Sequence, residues 1–221
     1  MEISDLAPNP FVQFEKWYCE AVRLSTKIPD AFSLLSFKNI LKLIRSGILL
    51  ELPEAVALAT ASKDGKPSVR MVLHKGIQNE RFIFFTNYNS RKSQELDQNP
   101  HAALLFYWKE LARQIRVEGS VTRSSREVSE AYWNTRPRES QLSGYVSPQS
   151  KIITDKNELD TKKKEIDTLF IHKKIPCPDN WGGYELIPTA FEFWVNQEFR
   201  FHDRFVYTYQ NERWALSQLA P

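Results

Sequence analysis

The chain has 221 residues, of which 42% are hydrophobic and 26% charged, with a formal net charge of +3. That length suits one domain that buries roughly 70% of its unfolded surface, so no disulfide staples are needed. The charge is too small to argue for nucleic acid by itself. Only 7 glycines are present, with no G-x-G-x-x-G, no G-x-x-x-x-G-K-[ST] and no G-x-S-x-G among them. Rossmann, P-loop and nucleophile-elbow chemistries are therefore excluded. Cys19 and Cys177 make no framework and read as reduced thiols. His74, His101, His172 and His202 show no metal-ligand spacing, so no metal is expected. The first eight residues lack the apolar core of a targeting peptide. Lys38, Asn39, Lys42 and Arg45 interrupt the most apolar stretch, residues 31–50, so no membrane span is expected. A cytoplasmic location follows as the expectation.

Asn9-Pro10 reads as a helix start. Phe11, Phe14, Tyr18, Ala21 and Val22 then recur at helical spacing, predicting a helix over residues 10–23. Leu34, Phe37, Leu41, Ile44 and Ile48 form a second stripe, predicting a basic amphipathic helix. It is read as laid on its own domain; a membrane surface or partner protein is the competing use of such a helix. From residue 55 the pattern turns to strands, at 55–62, 68–75, 81–86, 102–108 and 114–122, with a short helix over 90–98. These predict an antiparallel meander closing into a small barrel. Ser124-x-x-Glu127 has the spacing of a capping box, starting a helix over 125–135 that Pro137 ends. A charged helix is expected over 155–170. Strands are expected at 183–187, bounded by Pro188, and at 191–195, 205–209 and 213–219, with Asn211-Glu212 as a hairpin tip.

The basic residues stand out by placement. Arg70 and Lys75 bracket an apolar strand, and Arg91-Lys92 opens a short helix. Arginine forks and helix N-termini both receive phosphate well. Tyr132 and Arg136 lie one helical turn apart, with Ser140 after the turn, a possible second phosphate cradle. On a strand, Arg200, His202 and Arg204 would share one face. Three basic groups side by side repel unless an anion or dipolar ligand sits among them.

At these residues the sequence resembles the pyridoxamine/pyridoxine 5′-phosphate oxidase family. The matching stretches are Arg70-Met-Val-Leu-His-Lys75, Phe85-Thr-Asn87 with Ser90-Arg-Lys92, and Arg113-Gln-Ile-Arg-Val-Glu-Gly119. Tyr132-x-x-x-Arg-Pro-x-x-Ser140, Ser147-x-Gln-Ser150, Trp181-Gly-Gly183, Glu192-Phe-Trp194, Arg200-x-His-Asp-Arg204 and Leu219-Ala-Pro221 follow in the family's order. The resemblance implies a mainly β protein with peripheral helices, an FMN-binding split β-barrel that works as a homodimer with FMN at the subunit interface. It implies oxidation of pyridoxamine and pyridoxine 5′-phosphates to pyridoxal 5′-phosphate, with O2 as acceptor and H2O2 released. By motif, FMN would be held by Arg70, Met71, Val72, Leu73, His74, Lys75, Phe85 and Thr86. Arg91, Lys92, Gln114, Gln149, Ser150, Trp194 and Arg204 complete that set. Lys75, Tyr132, Arg136 and Ser140 would hold the substrate phosphate. Arg200 and His202, the expected catalytic residues, would lie over the substrate ring beside Phe201.

The chain departs from the family pattern at His74, where an aliphatic residue is usual, and at Val195-Asn196. It lacks the longer basic N-terminal segment, and residues 29–51 look inserted into a single domain. Residues 1–54 would form a helical N-terminal segment, and 55–221 the barrel with its C-terminal dimerisation region. A split-barrel flavoprotein that binds FMN or pyridoxal phosphate with little or different activity is the competing reading.

Overall fold

The computed structural model describes residues 1–25 and 53–221. The amphipathic helix expected around Leu34 to Ile48 and the insert expected at 29–51 lie outside the described residues.

Helix α1 (Pro10–Ser25) begins where the sequence predicts. The Asn9 side chain accepts a hydrogen bond from the Phe11 N–H at 2.8 Å, covering a donor the first helical turn leaves open. Phe11, Phe14, Trp17 and Ala21 form its buried face.

Among the described residues nine strands follow: β1 (Ala55–Ala61), β2 (Pro67–Leu73), β3 (Ile77–Gln78), β4 (Arg81–Asn87), β5 (His101–Trp108), β6 (Arg113–Arg123), β7 (Trp181–Val195), β8 (Asp203–Gln210) and β9 (Arg213–Leu219). All pair antiparallel, in the order β2-β1-β5-β6-β7-β4-β3, with β8 on β7 and β9 on β8. The expected meander is thus corrected, because β1 pairs β5 and β4 pairs β7 across the chain order. Main-chain bonds from Lys75 N to Ile83 O and from Ile83 N to Gly76 O join the end of β2 to β4 and curl the sheet into a barrel. Four helices sit at its periphery: α2 (Arg91–Gln98), α3 (Arg126–Thr135), α4 (Arg138–Val146) and α5 (Lys156–Leu169).

Three local expectations need correction. The cap of α3 is Ser125, whose side chain accepts from Val128 N; Ser124 instead donates its N–H to Gly183 O. Helix α4 departs from the sequence pattern, in which Pro137 reads only as a terminator, whereas in the fold Pro137 is also the residue before the first turn of α4. Strand β7 runs through Pro188 without a break. The β6–β7 register shifts between Glu118 and Gly119, so that Gly119 pairs Pro188 and Glu118 pairs Ala190. Thr189 is the extra residue of this bulge, and a proline, lacking an N–H, is tolerated there. The bulge also divides the strand's outer edge: residues before it pair β4 and residues after it pair β8. Gly119 is required at this point, since a Cβ would lie 2.0 Å from Ile187 O.

The main core is aromatic, with Phe14, Trp17, Phe82, Phe106, Phe191, Phe193 and Phe205 buried between α1 and the sheet. A smaller cluster of Trp133, Leu142, Ile175 and Trp181 lies under α3 and α4.

His74 belongs to the main core. Its ring is 5% exposed and lies within 5.3–5.8 Å of the rings of Phe14, Tyr18, Phe82 and Phe106. Nδ1 has no partner. Burial, aided by the charge of Lys75, pushes its pKa down to about 4. The unfolded chain therefore binds a proton near pH 6.5 that the folded protein refuses until about pH 4. Stability falls as the pH drops through that window, by about 3 kcal/mol in all. Replacing His74 with leucine should remove this dependence. The Tm of H74L relative to wild type should rise by about 4 °C or more between pH 7 and pH 5. A Tm difference that stays constant over that range would refute the assignment.

Candidate active site

A cavity of about 390 Å³ opens where β2, β4, β7 and the three helices α2, α3 and α4 meet. Strand β2 contributes Met71, Val72 and Leu73, followed by Lys75; β4 contributes Phe85, Thr86 and Asn87. Lys92 comes from α2, Tyr132 and Arg136 from α3 and its end, Ser143 and Gly144 from α4, Ser147 and Gln149 from the next loop, and Trp181 from β7. Every charged residue among these is a cation.

Lys92 is buried at the start of α2. Its ammonium donates to Thr86 Oγ1 at 3.0 Å, Ser90 Oγ at 3.2 Å and Gln149 Oε1 at 3.1 Å. Burial pushes its pKa down to about 8; Arg70 adds to the effect and Glu95 opposes it. Thr86 Oγ1 also donates to Gln149 Oε1, at 3.0 Å. An ammonium and a hydroxyl thus converge on one oxygen.

Arg136 ends α3, held extended by Pro137 (φ −71°, ψ 143°). Its guanidinium lies 4.9 Å from the Trp133 ring and 4.7 Å from the Trp181 ring. Burial lowers its pKa, and Nη1 is buried without a hydrogen-bond partner. Gly144 makes room for it, because a Cβ there would meet Nη1 at 2.8 Å. The Tyr132 ring stacks on Phe85 at 4.0 Å and 16°, and Phe85 stacks on Trp181 at 5.5 Å and 9°.

Lys75 and Lys92 of the first basic constellation and Tyr132 and Arg136 of the second therefore meet in one cavity. Other expected site residues lie outside its lining. The Arg70 guanidinium donates to Leu58 O and Thr60 Oγ1 and pairs with Glu95 at 3.2 Å. Arg91 pairs with the same carboxylate at 2.8 Å. Burial opposes ionisation of Glu95, but hydrogen bonds from Ser68, Thr60 and Arg91 and the charge of Arg70 hold its pKa at about 2. The His74 side chain is in the core. Ser140 is half-buried in the first turn of α4, and Ser150 is exposed with φ 70°.

A second group assembles at the far end of β7. Gln114 faces Trp194 across the β6–β7 ladder, and the Trp194 ring lies 4.6 Å from His202. His202 Nδ1 accepts from the Gln197 N–H at 3.2 Å. Arg204 donates to Glu192 at 2.8 Å and to Ala220 O at 3.1 Å. The shared strand face expected for Arg200, His202 and Arg204 is not formed. Strand β8 starts only at Asp203, and Phe199 (φ 54°) and Arg200 (φ 65°) are both left-handed. Two such residues break the two-residue alternation. Arg200 and Phe201 are exposed.

Asn87, Ser143, Gly144, Ser147 and Trp181 line the cavity without having been singled out from the sequence. Asn87, Ser147 and Trp181 stand inside quoted motifs, but a search for charge passes over them. Ser143 and Gly144 lie on the unexpected helix.

Comparison with known proteins gives two adjoining family matches. The model for "Pyridoxamine 5'-phosphate oxidase" matches residues 48–170. The chain belongs to this family. A second model, "Pyridoxine 5'-phosphate oxidase C-terminal dimerisation region", matches residues 181–221. Similar curated family members carry the name pyridoxine/pyridoxamine 5'-phosphate oxidase. The one from Coxiella burnetii is 45% identical, covering 98% of this chain and 98% of its own. That from Paraburkholderia phymatum is 41% identical, covering 100% and 93%. Among solved structures, PhzG from Burkholderia lata 383, in complex with tetrahydrophenazine-1-carboxylic acid, is 30% identical. It covers 89% of this chain and 96% of its own, with a TM-score of 0.74. An FMN-binding protein from Nostoc punctiforme, 18% identical over 86% of this chain and 100% of its own, shares the fold with a TM-score of 0.63. Among the described residues no helix is long and apolar enough to cross a membrane, and no His/Cys/Asp/Glu cluster suited to a metal ion occurs.

Proposed function

We propose that the protein is an FMN-dependent oxidase that converts pyridoxamine and pyridoxine 5′-phosphates to pyridoxal 5′-phosphate. The observation that carries this reading is the cavity whose charged lining is wholly cationic and whose Arg136 Nη1 is buried without an acceptor. A buried donor left unpaired costs about 1–3 kcal/mol. A phosphate oxygen supplies the acceptor with charge assistance. Lys75, Tyr132, Arg136 and Ser140 hold the substrate phosphate in this reading, and Arg200, Phe201 and His202, at the far end of β7, would border the ring across the interface of the proposed homodimer.

The converging donors of Lys92 and Thr86 fit a flavin phosphate. With them, the segment from Arg70 to Lys75 and Phe85, Arg91, Gln114, Gln149, Ser150, Trp194 and Arg204 would hold FMN. Flavin held there would supply hydride acceptance and electron transfer to O2, with H2O2 as the product. The chain's own residues then need only bind, orient and keep water out. Lys75 and Arg136 anchor one end of the substrate, which turns an encounter into a positioned pair. The Tyr132–Phe85–Trp181 stack stiffens that wall of the cavity.

A homodimer is part of the proposal. Val69, Met71 and Leu73 form an exposed apolar row on β2, at 69%, 62% and 42% exposure. Such a row is suited to a partner surface, and the matched dimerisation region supports it. The purified protein should be yellow, with about one FMN per subunit, and dimeric by light scattering. It should form pyridoxal 5′-phosphate from both vitamers in an O2-dependent reaction. A folded protein that binds FMN without turning over either vitamer would favour the low-activity flavoprotein, and one that takes up neither FMN nor pyridoxal 5′-phosphate would defeat both readings.

A further inference from the structure

Among the described residues, Lys75 is the one cavity cation in an ion pair with a carboxylate, and Glu95 acts on Lys92 through its charge without pairing with it. Lys92 donates to neutral oxygens, and Arg136 Nη1 has no partner. Lys75 Nζ lies 3.8 Å from Glu54 Oε1, with the two side chains 24% and 31% exposed. Glu54 is not itself part of the cavity lining. The main chain keeps it beside Lys75. Its carbonyl accepts from the His74 N–H at 2.8 Å, and the next residue, Ala55, pairs with Leu73 in the β1–β2 ladder. The carboxylate is thus tethered to the strand that carries Lys75. At 3.8 Å the pair is too long for a hydrogen bond, and a half-exposed ion pair of this kind is weak. It holds the ammonium near the cavity yet releases it easily.

We propose that Glu54 is a removable counter-charge that sets the affinity of the cavity for a phosphate monoester. Phosphate oxygens replace the carboxylate on Lys75 when the ligand enters, and the carboxylate returns when it leaves. Its negative charge lowers the affinity for a phosphate dianion. This bears on turnover in the proposed reaction, because substrate and product carry the same phosphate. Binding that grips both equally holds back release without speeding the chemistry. The consequence for turnover rests on the oxidase reading, whereas the effect on phosphate affinity does not.

The test uses the full-length protein with Glu54→Gln, which keeps shape and removes charge, and Glu54→Asp, which keeps the charge. Pyridoxal 5′-phosphate is titrated by absorbance, and FMN is titrated into the apoprotein by fluorescence. KM and kcat are measured where turnover occurs. Glu54→Gln should bind one of the two phosphate monoesters ~3- to 10-fold tighter, and the arm that responds identifies which phosphate Lys75 serves. If it is the vitamer's, KM falls by the same factor. Glu54→Asp should stay within about twofold of wild type, and in a Lys75→Gln background the gain from Glu54→Gln should vanish. Unchanged or weaker affinity for both ligands in folded Glu54→Gln would overturn the proposal. The two titrations retain this power even if the wild type oxidises neither vitamer, so failure of the oxidase reading is seen separately.

Discussion

Replacing Arg136 with leucine is expected to raise KM for the phosphorylated vitamers by about 10- to 150-fold, the loss of a hydrogen bond to a charged group, while FMN stays bound. The structure makes the companion result as informative. A guanidinium kept for stability would lower Tm when removed. Arg136 is instead half-buried, with Nη1 fully buried and unpartnered and its pKa lowered by burial, so the folded protein carries an unmet desolvation cost there. Leucine keeps apolar contact with Trp133 and Trp181 and removes that cost. The Tm of R136L should therefore match or exceed that of wild type, in the pattern of a site that sacrifices stability for function. A lower Tm with unchanged KM would show Arg136 to be a packing residue, and the phosphate cradle would have to lie elsewhere.

Lys92→Met is expected to weaken FMN binding by about 10- to 150-fold through loss of a charge-assisted hydrogen bond. The wild type should also show a pH dependence that the variant lacks. The Lys92 pKa is about 8 in the folded protein, against 10.5 for an ordinary lysine. Only the ammonium carries the charge that favours an anion, so FMN affinity should fall as pH rises through 8, by up to tenfold per unit. Between about pH 8 and 10.5 the unfolded chain binds the proton that the folded protein releases. Stability contributed at this site therefore rises with pH across that window, and K92M should be no less stable than wild type at pH 7. Fluorescence titration of apoprotein with FMN at pH 7, 8 and 9 checks this. Parallel pH profiles in the two proteins would remove Lys92 from the flavin site.

The strands and most helices were legible because their signals are local. The apolar run at 55–62, the Val- and Ile-bearing stretch at 114–122, the Asn9-Pro10 start and the Pro137 stop each act within a few residues. Helix α4 was missed because the proline that ends α3 also begins the next helix one residue later. The continuity of β7 was missed because the reason Pro188 is tolerated lies on β6, at Gly119, about 70 residues earlier in the chain. The same distinction applies to the site. Arg136, Lys92, Tyr132 and Lys75 were singled out by charge placement and motif, and folding brings them to one cavity. The face imagined for Arg200, His202 and Arg204 failed because left-handed residues 199 and 200 delay the strand, and single-residue periodicity does not foresee that.

By itself, then, the sequence determined the element types, the cationic inventory and the family, since propensity, charge and ordered motifs are properties of short segments. Only the tertiary structure decided which cation is satisfied and which is not. The partners of Lys92, the unpartnered Nη1 of Arg136 beside Gly144, the burial of His74 and the carboxylate beside Lys75 all depend on contacts between segments far apart in the chain. Hydrogen bonding and desolvation depend on distance in space, and in this protein the barrel's cross-strand pairing sets that distance.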